Sequence, residues 1–205
     1  MQLADAFLGG GSECIFFEIK GRWLKEEVLV GAPEDYQKEL RDKYSGEKIG
    51  VGQIVCNILG LANRRLQTEG EELRGVERIF PVLVAYDYRL DAPLHPRFLA
   101  RDFARGLSGD DTIREIRAGV WSVAPLTVMT IDDFEILESS VGEFSLCELL
   151  RDYSRECGDR FVSLHNFMAS YVKYAQKMRE NARVRSAFSA ELRALEERFE
   201  ADQAV

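Results

Sequence analysis

The first strand-like pattern in the chain is a pair of runs at residues 2–8 and 13–20, separated by Gly9-Gly10-Gly11-Ser12. A glycine-rich spacer of this kind predicts a hairpin. The second run, Cys14-Ile15-Phe16-Phe17-Glu18-Ile19-Lys20, carries aromatic and β-branched residues on both faces, as a strand buried on both sides would. Gly21 ends it, and residues 23–30 are expected to continue as extended chain. A polar helix is predicted over 34–44, then a loop holding Gly46, Lys48, Gly50 and Gly52. Val51, Ile54, Val55, Ile58, Leu59 and Ala62 recur at helical spacing and predict an amphipathic helix over roughly 51–67. A buried strand follows at 78–86, with Pro81 near its start. Pro96 suits the first turn of a helix running to Leu107. Leu126 to Met129 is a further strand, and Thr130 with Asp132 and Asp133 marks a helix start. Helices are expected at about 145–156, 160–177 and 181–200, the last with Phe188, Leu192, Leu195 and Phe199 on one face.

This order predicts an α/β fold with a mixed central sheet flanked by helices, spanning residues 1–140. A helical C-terminal region, 141–205, is expected to pack on that core or on a partner. The chain has 205 residues, of which 46% are hydrophobic and 30% charged, enough apolar material for a substantial core. It contains no run of about 18 uncharged apolar residues and no secretory leader pattern, so a cytoplasmic protein without membrane spans is expected. The four cysteines, Cys14, Cys56, Cys147 and Cys157, form no short-spaced pair, and His95 and His165 stand apart from them. Reduced thiols are expected rather than a zinc cluster. The net charge of -8 argues against a protein that coats nucleic acid through a broad basic surface. It leaves room for a local basic groove on an acidic body.

Glu18 and Lys20 are the residues that carry candidate chemistry. Alternation along a strand places them on one face about 7 Å apart. Both interrupt an apolar strand, where an isolated charge costs several kcal/mol unless paired or bound to a metal ion. The bland alternative is a solvated pair at the strand end. Asp5 adds to the case, because a hairpin closed near residues 8 and 13 sets it across from Phe16 to Glu18. Two carboxylates on adjacent strands with a lysine beside them could hold Mg²⁺, which needs few protein ligands because it retains waters.

Asp5, followed at a short gap by Glu18-Ile19-Lys20 on an apolar strand, resembles the PD-(D/E)xK nuclease superfamily over roughly residues 1–90. The resemblance implies a restriction-endonuclease-like core and metal-dependent hydrolysis of nucleic acid, DNA ahead of RNA on family tendency. It implies Asp5, Glu18 and the Ile19 carbonyl as ligands of Mg²⁺ or Mn²⁺. It implies that Lys20 orients or helps to deprotonate the attacking water and stabilises negative charge. Gln53, Lys48 and Asn57, on the loop and helix that follow, are candidate supports for the metal site or a backbone phosphate. Gln53, Asn57, Gly60 and Arg64 form a polar stripe that equally suits a solvent face. Two departures are visible: Ala4 stands where the family carries proline, and the helix and strand that the family places before the aspartate strand do not fit ahead of Asp5. A pared-down core, or elements supplied by another segment or chain, is the corresponding expectation.

Other polar groups read as ordinary structure. Asp87 and Asp91 are expected on a solvated loop. His95 reads as a loop or cap residue, and Asp132, Asp133 and Glu135 as first-turn acids. Arg97, Arg101 and Arg105, at helical spacing, suit either a phosphate-binding face or a solvated one beside Asp102. Three readings compete. One is a nuclease. The second is a non-catalytic interaction module, or a subunit that needs a protein partner or self-association. The third is an unrelated α/β domain whose Glu-x-Lys is accidental.

Overall fold

The computed structural model describes residues 5–62, 76–92, 94–108, 122–140, 142–157 and 162–178. It opens with the hairpin: β1 is Ala6–Gly10 and β2 is Glu13–Lys20, antiparallel, with Gly10 opposite Glu13. The strands run closer to the turn than the glycine cluster suggested, leaving a two-residue connection, Gly11-Ser12. Gly11 takes φ 61°, a conformation glycine adopts without steric cost.

From β2 the chain makes a short helix α1 (Glu26–Leu29), then α2 (Pro33–Tyr44) and α3 (Val51–Ala62), before β3 (Arg78–Ala85). The extended course expected for 23–30 is replaced by an irregular turn and α1. β3 lies parallel to β2, with Glu18 opposite Leu83 and Lys20 opposite Ala85. After a 3₁₀ turn at Tyr88–Asp91, helix α4 (Leu94–Leu107) begins two residues before the proline expected to start it. β4 (Ser122–Val123) and β5 (Thr127–Thr130) then pair with β3, also parallel. The described strands thus form one mixed open sheet, with helices on both faces.

Pro81 accounts for the break between β4 and β5. It sits inside β3 and has no N–H to offer the ladder. Ile79 pairs with Val123 but Val82 with Thr127, so Ala124, Pro125 and Leu126 oppose Phe80 and Pro81. The extra residue bulges the outer strand where the proline could not bond to it.

Alternation in β2 divides two hydrophobic cores. Cys14 and Phe16 join Ile79, Leu83 and Ala85 beneath α2, α3 and α4, where Tyr44, Ile54, Ile58 and Leu99 are buried. Ile15 and Phe17 join Phe80, Val82 and Val84 on the other face. That face is covered by α6 (Leu146–Cys157), α7 (Leu164–Ser170) and α8 (Val172–Ala175), after α5 (Ile131–Ser139). The single helix expected over 160–177 is two, because Tyr171 adopts an extended conformation (φ -87°, ψ 112°). Tertiary contacts favour the break. Asp152 of α6 accepts bonds from Lys173 (2.5 Å) and the Tyr174 hydroxyl (2.7 Å), and the Phe167 and Tyr171 rings stack at 4.9 Å. The expected helix over 181–200 and its Phe188, Leu192, Leu195 and Phe199 stripe lie outside the described residues. No helix among the described residues is long and apolar enough to cross a membrane.

Candidate active site at the carboxyl end of the sheet

The parallel strands end level with one another: Lys20 of β2 is opposite Ala85 of β3, and Ala85 is opposite Thr130 of β5. In open α/β sheets the carboxyl ends of parallel strands are where loops converge and ligands bind. Glu18 and Lys20 stand at this end, on the face shared with Phe16.

Register brings Asp5 to them. Ala6 pairs with Phe17, and Asp5 immediately precedes that last paired position. Its own N–H donates to the Phe17 carbonyl at 3.1 Å, and its Oδ2 accepts from the Ile19 N–H at 2.8 Å. Directly opposed residues of an antiparallel pair share a face. Phe7 and Phe16, directly opposed, share one with ring centroids 5.7 Å apart, and the Asp5 charge acts on Glu18 from the end of the ladder. Backbone polarity alternates too. Phe17 turns its carbonyl toward β1, so Ile19 turns its N–H and carbonyl to the same side.

Glu18 is 1% exposed, and Lys20 is partly open to solvent. The Lys20 ammonium meets Glu18 Oε1 in an ion pair, while Oε2 is buried without a hydrogen-bond partner among the described residues. Burial pushes the Glu18 carboxyl above its ordinary range. The hydrogen bond and charge of Lys20 oppose that shift, and the negative charge of Asp5 adds to it. A buried carboxylate oxygen lacking a donor is a site that a cation would satisfy. Glu18, Asp5 and the Ile19 carbonyl are oxygen donors suited to a hard divalent ion. Among the described residues, no group of three or more His, Cys, Asp and Glu side chains could hold a metal, so any ion here would rest on this smaller set.

The expected supporting residues are placed as follows. Lys48 is exposed in the loop before α3, Gln53 is half-buried in its first turn, and Asn57 is buried. The face bearing Asn57 is thus not a solvent face. α3 is wedged between the sheet and α4, where Gly106 would press a Cβ against Val55 at 2.9 Å. No hydrogen bond or ion pair among the described residues joins Lys48, Gln53 or Asn57 to Glu18 or Lys20. Arg64 lies outside the described residues. The loop entering α3 is tight: Gly50 has φ +55°, and a Cβ on Gly52 would sit 2.0 Å from the Gly46 carbonyl oxygen.

Two acids past the strand ends are buried, which the sequence reading did not anticipate, although Asp133 is the first-turn acid it expected. Asp87, expected on a solvated loop, is fully buried. It accepts from Leu24 N (2.7 Å), Arg89 N (3.2 Å), Arg89 Nε (2.7 Å) and Arg89 Nη2 (2.8 Å). Desolvation, the largest influence on this carboxyl, pushes its pKa up, but bonds from Arg89 and Leu24 outweigh it and hold the group below its ordinary range. Asp133 is the second. Its Oδ2 accepts from Thr130 N (2.8 Å) and Oγ1 (3.1 Å) in a reciprocal cap, and His165 Nδ1 lies 3.5 Å from Oδ1. Burial raises its pKa to about 6. The burial of these acids had no local signal, because it depends on chain distant in sequence, Leu24 over Asp87 and His165 beside Asp133. His95 bonds the Arg89 carbonyl through Nδ1 at 2.6 Å and packs on Tyr36. All four cysteines are free thiols.

Compared with family models, curated proteins and solved structures, the chain matches none of them.

Proposed function

We propose that this chain is a metal-dependent phosphodiesterase of the PD-(D/E)xK, restriction-endonuclease-like type, acting on nucleic acid with DNA as its leading substrate. One observation carries the reading. A carboxylate buried with an orphaned oxygen, Glu18, is paired with Lys20 and lies within the field of a second carboxylate, Asp5, at the carboxyl end of parallel strands.

Asp5 and Glu18, aided by the Ile19 carbonyl, would hold Mg²⁺ or Mn²⁺. Such an ion, when bound, supplies a Lewis acid for a phosphoryl oxygen and lowers the pKa of its water. The remaining work falls to the chain. Lys20 sets positive charge next to Glu18 and partly open to solvent, where it can meet the negative charge that develops on phosphorus and orient the attacking water. Glu18 holds that ammonium in place. The Ile19 N–H fixes the Asp5 carboxylate, so its orientation is set before substrate arrives. Water adds to phosphorus, the bond to the leaving oxygen breaks, and the products are a phosphomonoester and a free hydroxyl.

The test is cleavage of supercoiled plasmid and of labelled single-stranded DNA and RNA with Mg²⁺ or Mn²⁺, with EDTA and Lys20→Ala as controls. The reading expects metal-dependent cutting that falls by about 10²–10³-fold in Lys20→Ala, the size of losing one charge-stabilising donor. Cutting that survives EDTA or the substitution overturns it. No cutting on any substrate favours an interaction module or a partner-dependent subunit.

A further inference from the structure

The turn that follows Lys20 is held more firmly than its length requires. Arg22 offers its carbonyl to the Tyr44 hydroxyl, and Trp23 offers its carbonyl to the Lys43 ammonium. Leu24 donates its N–H to Asp87 and accepts from Arg89 Nη2 at 2.6 Å. Both flanking elements and a buried acid thus fix the backbone of three consecutive residues. Leu24 is buried beneath it, yet Trp23 is left 50% exposed.

The Trp23 ring is also oriented from its surroundings. The Arg89 guanidinium lies 5.8 Å from its centroid, and Tyr88 meets it edge-on at 6.1 Å. Tyr88 is 59% exposed, and exposed Tyr86 stands where its N–H bonds the Lys20 carbonyl. Aromatic rings held rigidly and left open to water form a surface shaped for a flat partner. Three cations, Lys20, Arg22 and Lys25, fall within six residues beside it, Arg22 and Lys25 exposed, ahead of the acidic first turn of α1 at Glu26 and Glu27.

We infer that Trp23 and Tyr88, braced by Arg89, form a stacking platform for unpaired bases of a single-stranded polynucleotide. The backbone of that strand would run along Arg22 and Lys25 toward Lys20. This rests on the proposed function and narrows it, from nucleic acid in general to a strand with unstacked bases beside the cleavage point. Bases inside a duplex stack on one another and offer no free face, whereas every unpaired base does.

The experiment is fluorescence anisotropy with short labelled oligo-dT, oligo-U and a blunt duplex, in EDTA so that nothing is cut. Cleavage of single strand and of plasmid is followed separately with metal. The proposal expects single strands to bind more tightly than duplex. Trp23→Ala should weaken them about tenfold, the loss of one stacked base, and Trp23→Phe should recover most of that. Tyr88→Ala should give a smaller loss. Unchanged circular dichroism and melting midpoint in each variant separate stacking from folding. If single strands bind through Trp23 but nothing is cut, the platform stands and the nuclease reading falls. If cutting is intact in Trp23→Ala and oligonucleotide affinity is unchanged, the platform falls and the nuclease reading stands. Equal affinity for duplex overturns the proposal. So does a Trp23→Ala change in sedimentation mass without a change in oligonucleotide binding, which would mark the face as a contact between copies of the chain.

Discussion

Replacing Asp87 by alanine tests whether one buried acid ties the turn after Lys20 to the end of β3. The substitution strips four acceptor contacts from Leu24 and Arg89. The Leu24 N–H, at a buried residue, loses its charged partner, which costs about 1–3 kcal/mol. Arg89, largely buried, loses its counter-charge, and breaking a buried pair costs about 3–5 kcal/mol. Both losses act through one carboxylate and are not additive, so the total expected is about 3–5 kcal/mol. Asp87→Asn keeps the shape but turns an amide donor toward one of these donors, and should lose roughly half as much. The pH dependence has a definite sign. The folded pKa is depressed, so the stability Asp87 contributes is present above the unfolded value of 3.8 and is lost as pH falls through the folded one. Urea denaturation of parent and Asp87→Ala should therefore differ most at neutral pH, and the curves should converge in acid. A loss under about 1 kcal/mol at neutral pH, or a gap that does not narrow in acid, would refute the account.

Three further outcomes are expected. Because burial raises the Glu18 pKa, the folded chain holds that proton more firmly than the unfolded chain does, and stability falls as pH rises through the folded value. Glu18→Gln should thus match or exceed the parent by about 1 kcal/mol in neutral thermal melts while losing any metal-dependent cutting; a loss above about 2 kcal/mol would show the Lys20 pair to be net stabilising. Asp133→Asn removes a group raised from 3.8 to about 6, whose contribution is full below 3.8 and lost as pH rises through about 6. The variant should gain stability relative to the parent across that window in stepped-pH denaturation, and a flat difference would contradict it. Gly52→Ala forces a Cβ to 2.0 Å from the Gly46 carbonyl oxygen, while Gly21→Ala meets nothing within 4 Å. The first should cost about 1–3 kcal/mol and the second under about 0.5 kcal/mol in the same melts, and equal effects would show that the loop yields.

Chemistry written in local pattern was legible from the residues alone. The continuous apolar run from Cys14 to Phe17 specified a strand buried on both sides, and the two cores follow from the alternation of its side chains. The glycine turn specified a hairpin, which returns Asp5 to the neighbourhood of Glu18 and Ile19. The apolar stripe of α3 and the Thr130 cap were local signals of the same kind.

Tertiary structure decided what depends on neighbours far along the chain. Asp87 read as solvent-facing because charged side chains usually are, and the stripe holding Asn57 suited a solvent face equally well, yet each is buried. Arg89, two residues on, supplies three of the four bonds to Asp87, and Leu24, in another segment, supplies the fourth. The 23–30 segment follows the same logic: its backbone bonds go to Tyr44, Lys43, Asp87 and Arg89 instead of to a sheet ladder. The exposed indole of Trp23 is set by those same bonds. Local sequence specifies which faces are apolar and where the chain turns. Which polar group is buried, and with which distant donor, depends on solvation and electrostatic terms that exist only once the chain has closed.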